Sequence, residues 1–171
     1  MKSEVTIRRA FPEDYDRIAA FSEIEPIVEN TSRVPFLNAK QWRDILDTEG
    51  ENIQLVADIE GKLVGHLGIY PYVKQREKHV ATFGIVVHPD FHGKGIGSQL
   101  LEKAIHLADN WLQIIRFELT VLSDNPGAIH LYKKFGFEVE GEMKMNTFKQ
   151  GEYANTLIMA RIHPKFASKD S

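Results

Sequence analysis

Cysteine is absent from the 171 residues. Its absence excludes disulfides, a thiol nucleophile and cysteine-ligated zinc, and it suits a cytoplasmic protein. Positive charge is not in excess either. Lysine and arginine number 21 against 24 acidic residues, a formal net charge of −3, so no basic stripe is expected to displace counterions from nucleic-acid phosphates. Long hydrophobic runs are missing as well. No segment approaches the roughly 20 apolar residues of a membrane span, and the opening "MKSEVTIRRAFPEDY" holds no uninterrupted apolar stretch of a secretory signal. Without a secretory route the sequon at Asn30 has no expected use. Seven histidines, at 66, 79, 88, 92, 106, 130 and 163, form no H-E-x-x-H or comparable ligand spacing, so no metal is expected.

What is present reads as one ordinary α/β domain. Hydrophobic residues make up 43% and charged residues 26%, enough apolar surface for a packed core and too much for a largely disordered chain. Alternation predicts a first strand in "EVTIRRA", a hairpin over "IQLVADIEGKLVGHLGIYPYV" turning at Glu60-Gly61-Lys62, and a strand in "HVATFGIVVH". Helices are predicted over "PEDYDRIAAFSEI", opened by Pro12, and over "NAKQWRDILDTE", capped by Asn38, with "EPIVENTSRVPF" between them as a loop. The longest helix follows residue 95, its Ile96, Leu100, Leu101, Ala104, Ile105, Leu107 and Ala108 keeping 3.6 periodicity through to Trp111. A strand in "RFELTVLSDN", a helix in "PGAIHLYKKFG" and strands around "FEVEGEM" and "YANTLIMARI" complete the pattern. Residues 1–162 are expected to form a single domain, and 163–171 a flexible tail.

One segment asks for more than packing. In "VHPDFHGKGIGSQLLEKAIHLADNWL", Gly93, Gly95 and Gly97 fall between a strand and the longest helix. A single glycine would suffice to turn the chain. Several free N–H groups at a helix N-terminus, with the dipole behind them and no Cβ to hold a ligand away, suit a phosphate. The segment is neither a Walker loop nor a dinucleotide loop, because Lys94 stands between glycines and Ser98 replaces the last glycine of G-x-G-x-x-G.

"HGKGIG" resembles the acetyl-coenzyme A loop of the GCN5-related N-acetyltransferase superfamily, Arg/Gln-x-x-Gly-x-Gly/Ala, with Gly95 and Gly97 at the defining positions and His92 in place of the usual Arg or Gln. The second half of that pattern follows as "LTVLSDNPGAIHLYKKFGF". The resemblance implies a central mixed, mostly antiparallel twisted sheet of about seven strands flanked by about four helices. It also implies acetyl transfer from acetyl-CoA to an amine, by direct attack in a ternary complex. Along the loop, His92, Gly93, Lys94, Gly95, Ile96, Gly97 and Ser98 would contact the cofactor, with the backbone donors holding its diphosphate. The strand edge at Ile85, Val86 and Val87 would pair with the pantetheine arm, and Asn125, Ala128 and Tyr132 would line the same site.

Tyr132 would be the general acid, since a phenol with pKa near ~10 stays protonated at neutral pH beside a thiolate of pKa roughly 8.5; the other reading is an aromatic anchor. Glu118 is a candidate base, or simply the ion-pair partner of Arg116, and His79, His66 or a water chain compete with it. Glu29, Asn30, Thr82, Phe83 and Tyr153, with Glu152, would form the acceptor wall. "DNW", "ELTV", "YKKFGFEVEG", "GEYANTLIMAR" and "VENTSRVP" look like the bacterial L-amino-acid N-acetyltransferases. The acceptor implied is the α-amine of a free amino acid. A protein N-terminal or ribosomal, polyamine or aminoglycoside acetyltransferase is the alternative, and a silent acyl-CoA sensor is the alternative of another kind. A homodimer is compatible with the family habit.

Overall fold

Glu60 and Gly61 both have positive φ, at 50° and 83°, which is the two-residue turn whose twist matches that of paired strands. The Asp58 side chain tightens it by accepting from Gly61 N–H at 2.6 Å. This hairpin joins β2 (Ile53–Ile59) to β3 (Lys62–Pro71). The computed structural model describes residues 4–47 and 50–167. Its other strands are β1 (Thr6–Arg9), β4 (Val80–Val87), β5 (Arg116–Leu122), β6 (Glu138–Lys149) and β7 (Glu152–Ile162). The order across the seven-stranded sheet is β1-β2-β3-β4-β5-β7-β6. The β1–β2, β2–β3, β5–β7 and β6–β7 ladders are antiparallel, and β4 runs parallel to β5. Among the described residues four helices reach eight residues or more: α1 (Tyr15–Ser22), α3 (Ala39–Leu46), α4 (Ile96–Asn110) and α5 (Pro126–Lys134). None is long and apolar enough to cross a membrane.

The chain divides into two compact units, Met1–Tyr70 with Gly84–Ala104, and Pro71–Phe83 with Ile105–Ser171. In the first, strand alternation sends residues to two covered faces. Val56 packs with Ile18, Phe21, Ile27, Trp42 and Leu46 of the first three helices. On the other face a Cβ at Gly65 would lie 2.9 Å from Leu100 and 3.3 Å from Ile96, so the missing side chain lets α4 approach β3 closely. Asp14, buried before α1, accepts two bonds from Arg8 at 2.7 and 3.0 Å and one from Phe11 N–H at 2.9 Å, while Arg8 also reaches Asp58 at 3.0 Å. Those bonds hold the Asp14 carboxyl below its ordinary range, the Arg8 contact being the largest cause.

The loop expected between the first two helices contains a further one, α2 (Glu25–Glu29). Pro26 opens it rather than forbidding it, because the first turn has no use for the missing N–H. Asn38 caps α3 as expected, its Oδ1 accepting from Gln41 N–H at 2.9 Å while Gln41 Oε1 accepts from Asn38 N–H at 2.9 Å.

The second unit is built on β5, β7 and β6 with α5 against them. Phe117, Phe137, Met159 and Tyr132 are buried in it. Two expectations need correction there. The apolar face of α4 does not extend to Trp111, which lies beyond the helix and is 75% exposed. The strand expected around "FEVEGEM" runs on to Lys149, through irregularities between Val139 and Gly141 and between Met143 and Thr147; Met145 has φ +54°. The polar "KMNTFK" carries no alternation to reveal it, and pairing with β7 decides its state. After His163, whose N–H donates to Ile115 carbonyl at 2.7 Å, Pro164–Ala167 form one turn of helix, α6.

Candidate active site

β4 passes from Val80, Ala81 and Phe83, buried in the second unit, to half-buried Ile85, Val86 and Val87, which belong to the first. A short turn at Pro89–Phe91 then leads to the glycines. His92 ring nitrogen Nε2 donates to the Val87 carbonyl at 2.8 Å, stapling the turn back to its strand, so this imidazole takes a structural bond. Gly93 and Gly95 have φ of +72° and +78°, a conformation that costs an L residue roughly 1–2 kcal/mol. A Cβ at either would meet nothing within 4 Å. Conformation, with open space above the backbone, is what glycine supplies. Gly97 lies in the first turn of α4, beside half-buried Ser98 and buried Ile96. Lys94 Nζ stands 4.7 Å from the Phe91 ring centroid and Lys62 Nζ 5.0 Å from it, which gathers two cations beside the turn.

Glu29 and Asn30, expected on the acceptor wall, belong to the first unit too. Glu29 ends α2, and Asn30 follows with its Nδ2 donating to Pro26 carbonyl at 2.8 Å. Glu23 organises what comes next: Trp42 Nε1 donates to its Oε1 at 3.1 Å and Phe36 N–H to its Oε2 at 2.7 Å. The Arg33 guanidinium lies 4.8 Å from the Trp42 ring centroid. His66 is buried with Nε2 2.7 Å from Gln54 Oε1. Its pKa is pushed down to about 3, first by burial and then by the charge of Arg33. A neutral imidazole of that kind is a poor proton acceptor near pH 7.

The expected general acid, Tyr132, lies in the second unit. Asn125 caps α5, its Oδ1 accepting from Ala128 N–H at 3.3 Å, so the Ala128 amide is engaged by the helix itself. Gly136, at φ +88°, ends the helix. Between them Tyr132 is 7% exposed, its ring edge-on to Phe83 at 5.8 Å and to Phe137 at 6.1 Å. Burial alone pushes its phenol up to about 12, so the proton stays on oxygen throughout the neutral range. Thr82, half-buried, pairs with Glu118 in the β4–β5 ladder.

Glu118 is not a free carboxylate. Tyr72 donates to its Oε1 at 2.5 Å and Arg116 Nε to its Oε2 at 2.5 Å, while Arg116 also holds Glu140 at 2.6 and 3.0 Å. The ion pair read as one alternative is present, and Tyr72, which the sequence did not single out, completes it from 46 positions away. The bond to Glu118 is the largest cause of the Tyr72 pKa rising to about 12. His79 is exposed and contributes its carbonyl to Ile115 and Arg116 N–H. Tyr153, 64% exposed, packs against Phe148 with ring centroids 5.1 Å apart and planes inclined by 57°. With Glu152, Ser123 and Lys149 it lines an open groove of about 670 Å³. Among the described residues no group of three or more His, Cys, Asp or Glu could hold a metal.

A glycine turn that projects main-chain donors from a strand onto a long helix, and a buried phenol on the following short helix, are features of one class of acyltransferase. Residues 15–137 match the acetyltransferase (GNAT) family, and the chain belongs to it. It is an acetyl-CoA-dependent N-acetyltransferase. Over 160 residues it is 41% identical to an L-amino acid N-acetyltransferase of Escherichia coli, covering 94% of this chain and 99% of that one. A spermidine N(1)-acetyltransferase of the same organism is 29% identical over 163 residues, 95% of this chain and 77% of the relative. An acetyltransferase of the GNAT family from Streptococcus pneumoniae superposes with a TM-score of 0.82 at 28% identity, covering 93% of this chain and 99% of that one.

Proposed function

We propose that the enzyme acetylates the α-amine of a free amino acid, by direct attack in a ternary complex. The observation that carries this reading is the 41% identity to an L-amino acid N-acetyltransferase with almost complete coverage of both chains. The absence of cysteine supports direct attack over an acyl-cysteine route. Residues 1–162 act as one catalytic domain in this reading.

The cofactor supplies the acetyl group as an activated thioester. Open space over Gly93 and Gly95 supports a diphosphate held by the amides of Gly93, Gly95, Gly97 and Ser98, where donors and helix dipole add. The half-buried strand edge at Ile85–Val87 is assigned to the pantetheine arm. Asn125 has its Oδ1 engaged in the cap, and its Nδ2 is assigned to the same arm. Tyr132 keeps its proton on Oη at neutral pH and gives it to the departing sulfur. The amine loses its proton to a water chain, because an α-amine of pKa roughly 7.7–8 needs little help and both Glu118 oxygens are occupied.

The test is a screen of all proteinogenic L-amino acids, dipeptides, spermidine and an aminoglycoside with purified protein and acetyl-CoA, read as thiol release. Turnover on amino acids is expected. Turnover confined to spermidine, the substrate class of a second relative, or to the aminoglycoside would overturn the reading.

A further inference from the structure

Four arginines among the described residues are partly buried: Arg8, Arg33, Arg116 and Arg161. Three are neutralised. Arg8 holds Asp14 and Asp58, Arg116 holds Glu118 and Glu140, and Arg161 grips Asp109 at 2.8 and 2.9 Å. Arg33 has no carboxylate within ion-pair distance among the described residues. The nearby acid, Glu23, has one oxygen on Trp42 and the other on Phe36 N–H. Leaving a guanidinium partly desolvated without a counter-charge is unfavourable, and a fold that pairs its other three has a way to avoid it.

The position is also built. Arg33 N–H donates to Thr31 Oγ1 at 3.4 Å, and the guanidinium stacks 4.8 Å from the centroid of Trp42, itself 3% exposed and anchored through Nε1. The contact with the ring makes no hydrogen bond to the guanidinium, whose donors are of the kind that match the two oxygens of a carboxylate. Buried His66 feels this charge, which is the second cause, after burial, of its depressed pKa. The segment lies between α2 and α3 and follows Glu29 and Asn30, which the family resemblance places on the acceptor wall.

We propose that Arg33 binds the α-carboxylate of the acceptor, so that the enzyme selects amines carrying an adjacent carboxylate and disfavours polyamines, which bring only positive charge. The inference rests on the amino-acid reading above and adds the residue that enforces it. A charge-assisted bidentate pair accounts for roughly 10- to 100-fold in affinity.

The experiment takes the best amino-acid acceptor from the screen, its amide and its decarboxylated amine, and measures kcat and KM for wild type, Arg33→Met and Arg33→Lys, with thermal midpoints to confirm folding. Wild type should prefer the free acid over both analogues. Arg33→Met should raise KM for the acid roughly 10- to 100-fold while leaving both analogues within about 2-fold, and Arg33→Lys should recover part of the loss. Equal losses on acid and amine, or no loss on the acid, would overturn the role of Arg33 and leave the amino-acid reading standing. A wild type that acetylates spermidine and no amino acid would overturn both.

Discussion

The residues proposed to bind and to react differ in kind between the two units. In the first the groups proposed to face the cofactor are main chain: Gly93 and Gly95 hold positive φ beneath open space, and the nearest distinctive side chain, His92, is bound to its own strand. In the second the assigned group is one side chain, Tyr132, 7% exposed among Phe83 and Phe137. Recognition through amides tolerates substitution of neighbouring side chains, whereas proton donation from a buried phenol tolerates none at that position. Burial acts on both units in the same sense. It keeps His66 neutral by pushing its pKa down to about 3 and Tyr132 neutral by pushing its pKa up to about 12.

The largest effect expected from this contrast is in acid stability. Unfolded His66 titrates near 6.5 and the folded residue near about 3, so between those values the unfolded chain binds the extra proton. Stability from this group is full above pH 6.5 and falls by about 1.4 kcal/mol per unit as pH drops towards 3, about 4–5 kcal/mol in all. Urea denaturation from pH 7 to pH 4 should show that slope, and His66→Gln should flatten it by one proton. Equal slopes in the two proteins would contradict the buried neutral imidazole. Tyr132 has the opposite sign: its stabilisation is full below pH 10 and lost as pH rises towards about 12.

Next in size is Tyr132→Phe, which keeps the ring against Phe83 and Phe137 and removes only the proton donor. We expect kcat to fall about 10²-fold with the dissociation constant for CoA, by calorimetry, within about 2-fold of wild type. An unchanged kcat would return Tyr132 to a packing role. Gly95→Val should do the reverse, straining a residue at φ +78° and weakening CoA binding roughly 10-fold while single-turnover rates at saturation change little. The smallest effect belongs to His92→Gln. A glutamine can donate to the Val87 carbonyl as the imidazole does, so CoA affinity should stay within about 3-fold and show no step between pH 6 and 7. A larger loss would mean that this side chain, and not the backbone, carries the grip.

Legibility followed the range of the forces involved. The hairpin at Glu60-Gly61, the Asn38 cap, the glycine turn and the helix closed by Gly136 all rest on contacts within a few residues, so composition and spacing expose them. The β6 extension was hidden because its polar stretch is a strand only by pairing with β7. α2 was hidden because Pro26 reads as a breaker until its place in the first turn is known. At the site, the turn and Tyr132 could be found by motif; Arg33 could not, since nothing local distinguishes it from the paired arginines.

The sequence alone determined the family, the glycine-rich turn between a strand and the longest helix, and the absence of any cysteine chemistry, because these depend on residue type and on neighbours along the chain. Tertiary structure alone decided pairing and the size of the pKa shifts: that Glu118 is locked between Tyr72 and Arg116, that burial raises the Tyr132 phenol to about 12, and that Arg33 is left without a carboxylate among the described residues. Desolvation and Coulomb interactions are set by distances between residues far apart in the chain, and those distances exist only once the chain has folded.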